Sequence, residues 1–406
     1  MAPRLRRAHL KRELPGAALA AGAVLLLSFA DGGFFPGSWR AATAVFLFSA
    51  ALARVLRRQV VASRAQWLCL AGFVALTAWT ALSSQWSPDP GAAWLEAQRT
   101  LVYVTAIAAA IAVAGSLVTG TLAGVGLVCA YSLGQRLLEG APSPLEPFVG
   151  DLLQEPLGYA NALGGLAAIG LAVAAGLLVR DPRRRILLAV LVALFIVTLA
   201  LTQNRGGWIA AVIGVALAVA LGLGRVRLAR RVALTAGVLL AFALALPSGS
   251  LADDLAKLGE ERAWYWHVAW QEAADSPLFG RGAGTFELSW LERQPVPWNV
   301  LDAHSLYLEM LAELGVIGVL LVALALAPPL VAALRDARAP AAAGGYVAFL
   351  VHAGLDWDWE MPAVTVAGIL CGSAILLAHS RARVDDNGWP SGRGTPHPAS
   401  RAVPIS

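Results

Sequence analysis

The residues with chemistry to offer are few, and most sit beside long apolar runs. The stretch LTQNRGGWIA (201–210) lodges Arg205 and a glycine pair between two such runs. Arginine at membrane depth costs about 2.5–3.5 kcal/mol on insertion scales, so a partner that compensates the charge is expected there. Arg262 opens RAWYWHVAWQEAADSP. A guanidinium matches phosphate oxygens bidentately, and the competing reading is a surface pair with Glu260, Glu261 or nearby aspartates. GRGAGTF (280–286), which includes Arg281, can offer backbone N–H groups to a phosphate. No strand precedes it and no P-loop lysine follows, so tight turns are the alternative. His304, in LDAHSLYLEMLAELG (301–315), is a suitable general base, or a histidine bonded to Asp302 or a carbonyl. On a helical wheel His304 shares a face with Leu308, Leu311 and Gly315, while Glu309 and Glu313 pair with each other on the opposite side. HAGLDWDWEMP (352–362) groups Asp356, Asp358 and Glu360. Alternate spacing is a weak cation motif, and these carboxylates are expected to balance arginines or to position a hydroxyl.

The elements that must position these residues are membrane helices. Of 406 residues 58% are hydrophobic and only 14% charged, against about 25% charged in soluble domains. The fold class is therefore all-α, a polytopic membrane protein of about 12 transmembrane helices. The expected spans are 15–30, 38–53, 67–83, 100–115, 117–133, 160–179, 186–202, 207–223, 232–247, 305–334, 340–355 and 361–380. Pro328 and Pro329 are expected to end or kink the tenth. Arg99 then opens span four and Asn161, in GYANALGG, opens span six. Cys69, Cys129 and Cys371 all fall in apolar spans, an odd set that argues against a disulfide framework and a metal site.

The net charge of +5 is explained by the positive-inside rule rather than by nucleic-acid binding. With both termini in the cytoplasm, all lysines and arginines fall inside except Arg40, Arg99, Arg136, Arg205, Lys257, Arg262, Arg281 and Arg293. The expected organisation is a basic cytoplasmic N-terminus (1–14), helices 1–9 (15–247), a large extracytoplasmic loop with an interfacial aromatic helix (248–304), helices 10–12 (305–380) and a disordered cytoplasmic tail (381–406). The loop helix reads as running to Asp275-Ser-Pro, and its tryptophans suit either the membrane interface or stacking on sugars. A second outer loop, 134–159, is rich in proline and glutamate.

This topology brings Arg99, Asn161, Arg205, Arg262, His304 and Asp356 to one face, although they come from six distant segments. Several arginines with one histidine and no metal-ligand set suggest handling of a phosphate or pyrophosphate. The order and spacing of TQNRGGW, of RAWYWHVAWQEAADSPLFGRGAGTF and of HSLYLEMLAELG resemble the O-antigen ligase and polymerase family of bacterial membrane glycosyltransferases, over nearly the whole chain. Asn204 stands where that family usually has serine, and Ser305 where it often has asparagine.

The resemblance implies glycan transfer from a polyprenyl-pyrophosphate carrier to an acceptor hydroxyl, with inversion, no metal and no other cofactor. It places the reaction at the outer face of the bacterial cytoplasmic (inner) membrane. Arg205 and Arg262 would hold the donor pyrophosphate and His304 would activate the acceptor. Arg99, Asn161, Arg281 and Asp356 would complete the substrate site. The expected partners are the lipid-linked donor, a lipid, glycan or protein acceptor, and the bilayer, with no nucleic acid. Alternatives are a polysaccharide polymerase of the same family, a transporter of inorganic carbon or glycolipid, and a non-catalytic envelope protein. A transporter would show charge at mid-membrane and often inverted repeats, whereas the span centres here are Ala, Leu, Val and Gly.

Overall fold

The computed structural model describes residues 3–56, 62–139, 152–228, 232 and 261–387, and all regular structure among them is helical. In chain order the helices are α1 (Pro3–Ser28), α2 (Pro36–Leu56), α3 (Arg64–Leu82), α4 (Pro90–Val113), α5 (Leu117–Glu139), α6 (Ala160–Arg180), α7 (Arg185–Thr202), α8 (Arg205–Gly222), α9 (Arg262–Asp275), α10 (Phe286–Arg293), α11 (Leu306–Arg335), α12 (Pro340–Ala353) and α13 (Pro362–Asn387). Among the described residues nine helices, α2–α8, α11 and α13, are long and apolar enough to cross a membrane. The first and eleventh expected spans form shorter apolar helices, Glu13–Ser28 and Pro340–Ala353. The expected ninth span lies, but for Val232, outside the described residues, as do 140–151 and 248–260 of the two outer loops. This is a multi-pass membrane architecture, with a helical segment (α9 and α10) carried at one end.

Local signals start these helices where the site needs them. Ser63 and Gln66 form a reciprocal capping box on α3. Asp89 caps α4 ahead of Pro90, whose fixed φ suits the first helical turn. Asn204 caps α8, its side chain accepting the Gly207 N–H at 2.9 Å. Helix α4 therefore begins nine residues before Arg99, which does not open the span as expected but sits buried within it.

The prolines of α11 neither end nor break it; the break falls at Gly315 (φ 68°, ψ −169°). Residues 277–282 clasp the helix there. Arg281 and Gly282 donate their N–H groups to the carbonyls of Ala312 and Glu313, and Val316 N–H turns to Pro277 O. A side chain at 315 would collide with the Leu278 carbonyl, so glycine is required. Farther along, Pro329 cannot donate to Ala325 O, and the Cys69 thiol does so instead at 3.1 Å, which lets the helix continue.

The α9–α10 segment has its own small core: Tyr265, Val268 and Ala269 pack on Phe286, Trp290, Val300, Ala303, Leu308 and Ala312. Its attachment is polar. The buried Glu313 carboxylate accepts the N–H groups of Gly284 (2.8 Å) and Phe286 (2.9 Å), and Glu309 accepts that of Ala303 at 3.0 Å. The expected pairing of Glu309 with Glu313 is thus corrected: both are buried and each ties down a loop. The end of the chain also departs from expectation, because α13 continues to Asn387.

Candidate functional site

Three segments meet where α6 and α8 begin and α12 ends. Asn204 donates its side-chain amide to Asn161 O (2.9 Å) and lies 2.7 Å from His352 Nε2. His352 Nδ1 lies 2.7 Å from Asp358 Oδ2, with both side chains buried. Asn161 donates to the Tyr159 hydroxyl (2.8 Å), which donates to Asp356 Oδ1 (2.9 Å). Asp356 Oδ2 receives Arg262 Nη2 at 2.6 Å, closing a chain from α8 to α9. Arg205 follows Asn204 directly as the exposed first residue of α8, so its backbone is fixed by this network.

Two glycines make the approach possible. A Cβ on Gly164 would sit 2.7 Å from Asn204 Nδ2, and one on Gly165 would sit 2.8 Å from His352 Nδ1. Gly165→Ala is therefore expected to displace His352 and loosen the start of α8. This should lower the melting temperature of the protein in membranes; an unchanged melting temperature would show that His352 gives way freely.

His304 does not lie on the helical wheel of α11. It precedes the helix with φ 52°, a left-handed conformation, and its Nδ1 lies 2.9 Å from Asp302 O. A carbonyl only accepts, so Nδ1 carries the proton and Nε2 keeps a lone pair. The ring is half-buried, 5.0 Å from Tyr265 and 6.0 Å from Trp357 between centroids. Burial lowers its pKa below the usual histidine value, and the nearby Asp356 carboxylate partly opposes the shift. Asp356 itself would be raised by burial, but the Arg262 guanidinium holds it below the ordinary carboxylate range. Burial raises Asp358 in spite of His352. The site therefore holds a neutral histidine beside an ionised Arg262–Asp356 pair.

Arg262 reaches Asp356, 94 residues away, rather than the local carboxylates considered from sequence, and keeps 24% of its side chain exposed. Arg281 makes a two-pronged pair with Glu292 (2.6 and 2.7 Å) and donates to Ser289 (2.7 Å). Arg99 is held by Glu96, lies 3.7 Å from Glu360 and sits over the Trp39 ring at 5.5 Å. Both expected substrate-site arginines thus have carboxylate partners within the protein. The GRGAGTF amides are likewise engaged, Gly284 and Phe286 with Glu313 and Ala283 with Ser83 at 3.1 Å, so this loop turns inward rather than cradling a phosphate. Tyr159 and His352 were not singled out from sequence, although both lie in stretches quoted there, GYANALGG and HAGLDWDWEMP.

The fold and site define a multi-pass, all-helical membrane protein with a histidine, arginines and carboxylates gathered at one end of the bundle. Residues 190–323, about a third of the chain, are similar to the family described as O-antigen ligase. The matched stretch contains Arg205, Arg262, Arg281 and His304, while Asn161, His352 and Asp356 lie outside it. No curated protein matches.

Proposed function

We propose that this protein transfers a glycan from a polyprenyl-pyrophosphate carrier to an acceptor hydroxyl at the outer face of a bacterial cytoplasmic membrane. The observation that carries this reading is the Arg262–Asp356–Tyr159–Asn161–Asn204 chain. It links Arg262 to the start of the helix that bears Arg205, with Asp356 close to His304. In the reaction, His304 Nε2 takes the proton of the acceptor hydroxyl as its oxygen bonds to the anomeric carbon. The bond from that carbon to the pyrophosphate oxygen breaks, and the leaving group departs with the electron pair on the opposite face, which inverts the centre. Arg205 and Arg262 stabilise the charge that develops on the pyrophosphate. These residues need no metal for that step. Asp356 aims Arg262, whose side chain stays 24% exposed.

Transfer in reconstituted membranes tests this, using a lipid-pyrophosphate-linked oligosaccharide and a panel of lipid, glycan and protein acceptors. A productive lipid or protein acceptor supports a ligase, and chain extension supports a polymerase. No transfer to any acceptor, with folded protein, overturns the reading and favours a transporter.

The pH profile provides a second check. A general base must be neutral, and burial lowers the pKa of His304. The acidic limb of kcat/KM is thus expected below the ordinary histidine value of about 6.5. Asp356 favours protonated His304, so Asp356→Asn should move the limb further toward acid. A limb that moves toward alkali would contradict this assignment.

A further inference from the structure

A second group of charged residues lies beside the proposed base, and the transfer chemistry does not use it. Asp302 precedes α11, Glu309 lies in its first turns, and Glu360 lies in the turn between α12 and α13. One carboxylate oxygen from each lies within 4.8 Å of the others. Glu309 and Glu360 are 5% and 2% exposed, whereas Asp302 is only partly covered and leaves a way in.

Charge balance within this group is poor. Arg99 gives its short contacts to Glu96 and stands 3.7 Å from Glu360 Oε1. Glu360 Oε1 is buried and accepts no hydrogen bond. Among the described residues Arg99 thus stands beside three carboxylates, Glu96, Asp302 and Glu360, while Glu309 next to them accepts only the Ala303 N–H. Carboxylates this close cannot all ionise in a covered site unless further positive charge arrives. An all-oxygen set of three carboxylates matches a hard divalent cation.

We propose that Asp302, Glu309 and Glu360 bind a divalent cation, Ca²⁺ or Mg²⁺, that braces the loop carrying His304. The ion ties the start of α11 to the turn before α13 and thereby fixes the Asp302 carbonyl that orients the histidine ring. It takes no part in bond making. The site stands on its own geometry and does not depend on the glycan-transfer reading.

The test uses the purified full chain in detergent, stripped with a chelator and dialysed against Ca²⁺, Mg²⁺ or Tb³⁺ alone. Trp359 adjoins Glu360 and is buried, so it should sensitise Tb³⁺ luminescence. The expected result is about one ion per chain, with Ca²⁺ competing against Tb³⁺ at about 10⁻⁴–10⁻³ M as in extracellular modules. Asp302→Asn and Glu360→Gln should weaken binding at least tenfold, while Asp336→Asn, near the far end of α11, should leave it unchanged. If the first two variants fail to fold, wild-type melting decides: a rise of a few degrees with Ca²⁺ or Mg²⁺ over chelator supports the site. No stoichiometric ion, binding unaltered in the folded variants, or no melting shift overturns it. Binding is read without substrate, so failure of the transfer assay and failure of this site are distinguishable.

Discussion

Replacing His304 with alanine is expected to slow glycan transfer by about 10²–10⁴-fold, the usual contribution of a positioned general base. Donor binding should be nearly unchanged, because the pyrophosphate contacts are assigned to Arg205 and Arg262. Single-turnover transfer and donor affinity, measured on the same proteoliposomes, separate the two effects. The expectation rests on an Nδ1 proton held by the Asp302 carbonyl, an Nε2 lone pair and a pKa lowered by burial. His304→Ala that keeps a third or more of the wild-type rate, or that loses donor affinity in proportion to rate, would remove histidine from the role of base.

Arg262→Ala is expected to cost about 10²–10³-fold in transfer, or about 2.7–4 kcal/mol, as when one preorganised donor to a developing charge is removed. Part of any defect could come from Asp356, which is 1% exposed and would lose its main cation. Removing one partner of a buried pair costs stability for that reason. The double variant Arg262→Ala/Asp356→Asn separates the contributions: it should regain melting temperature over Arg262→Ala but not transfer. Arg262→Lys should recover little, because an ammonium lacks the planar fork needed to hold Asp356 and a phosphate together. Recovery of transfer in the double variant would make Arg262 a packing residue.

The sequence by itself determined the helical membrane class, because a run of apolar residues long enough to cross a bilayer announces itself locally. It also marked Arg205, Arg262 and His304, since ionisable groups beside apolar runs are rare and costly. The end of α9 at Asp275 was legible for the same local reason, through the punctuation of Asp275-Ser-Pro. Only the tertiary structure decided which charges meet. Arg262 and Asp356 are 94 residues apart, Tyr159 and Asp356 are 197, and no spacing rule pairs them. The prolines of α11 misled because Cys69, from another helix, satisfies the carbonyl that Pro329 leaves unpaired, and Gly315 was missed because its break depends on the clasp by residues 277–282. Glu309 and Glu313 paired with each other on a helical wheel, yet Glu309 takes the Ala303 amide just before the helix, and Glu313 takes the Gly284 and Phe286 amides, which reach it only after the chain has folded back. Apolar periodicity is written along the chain, whereas a buried polar group takes whichever partner packing brings within about 3 Å.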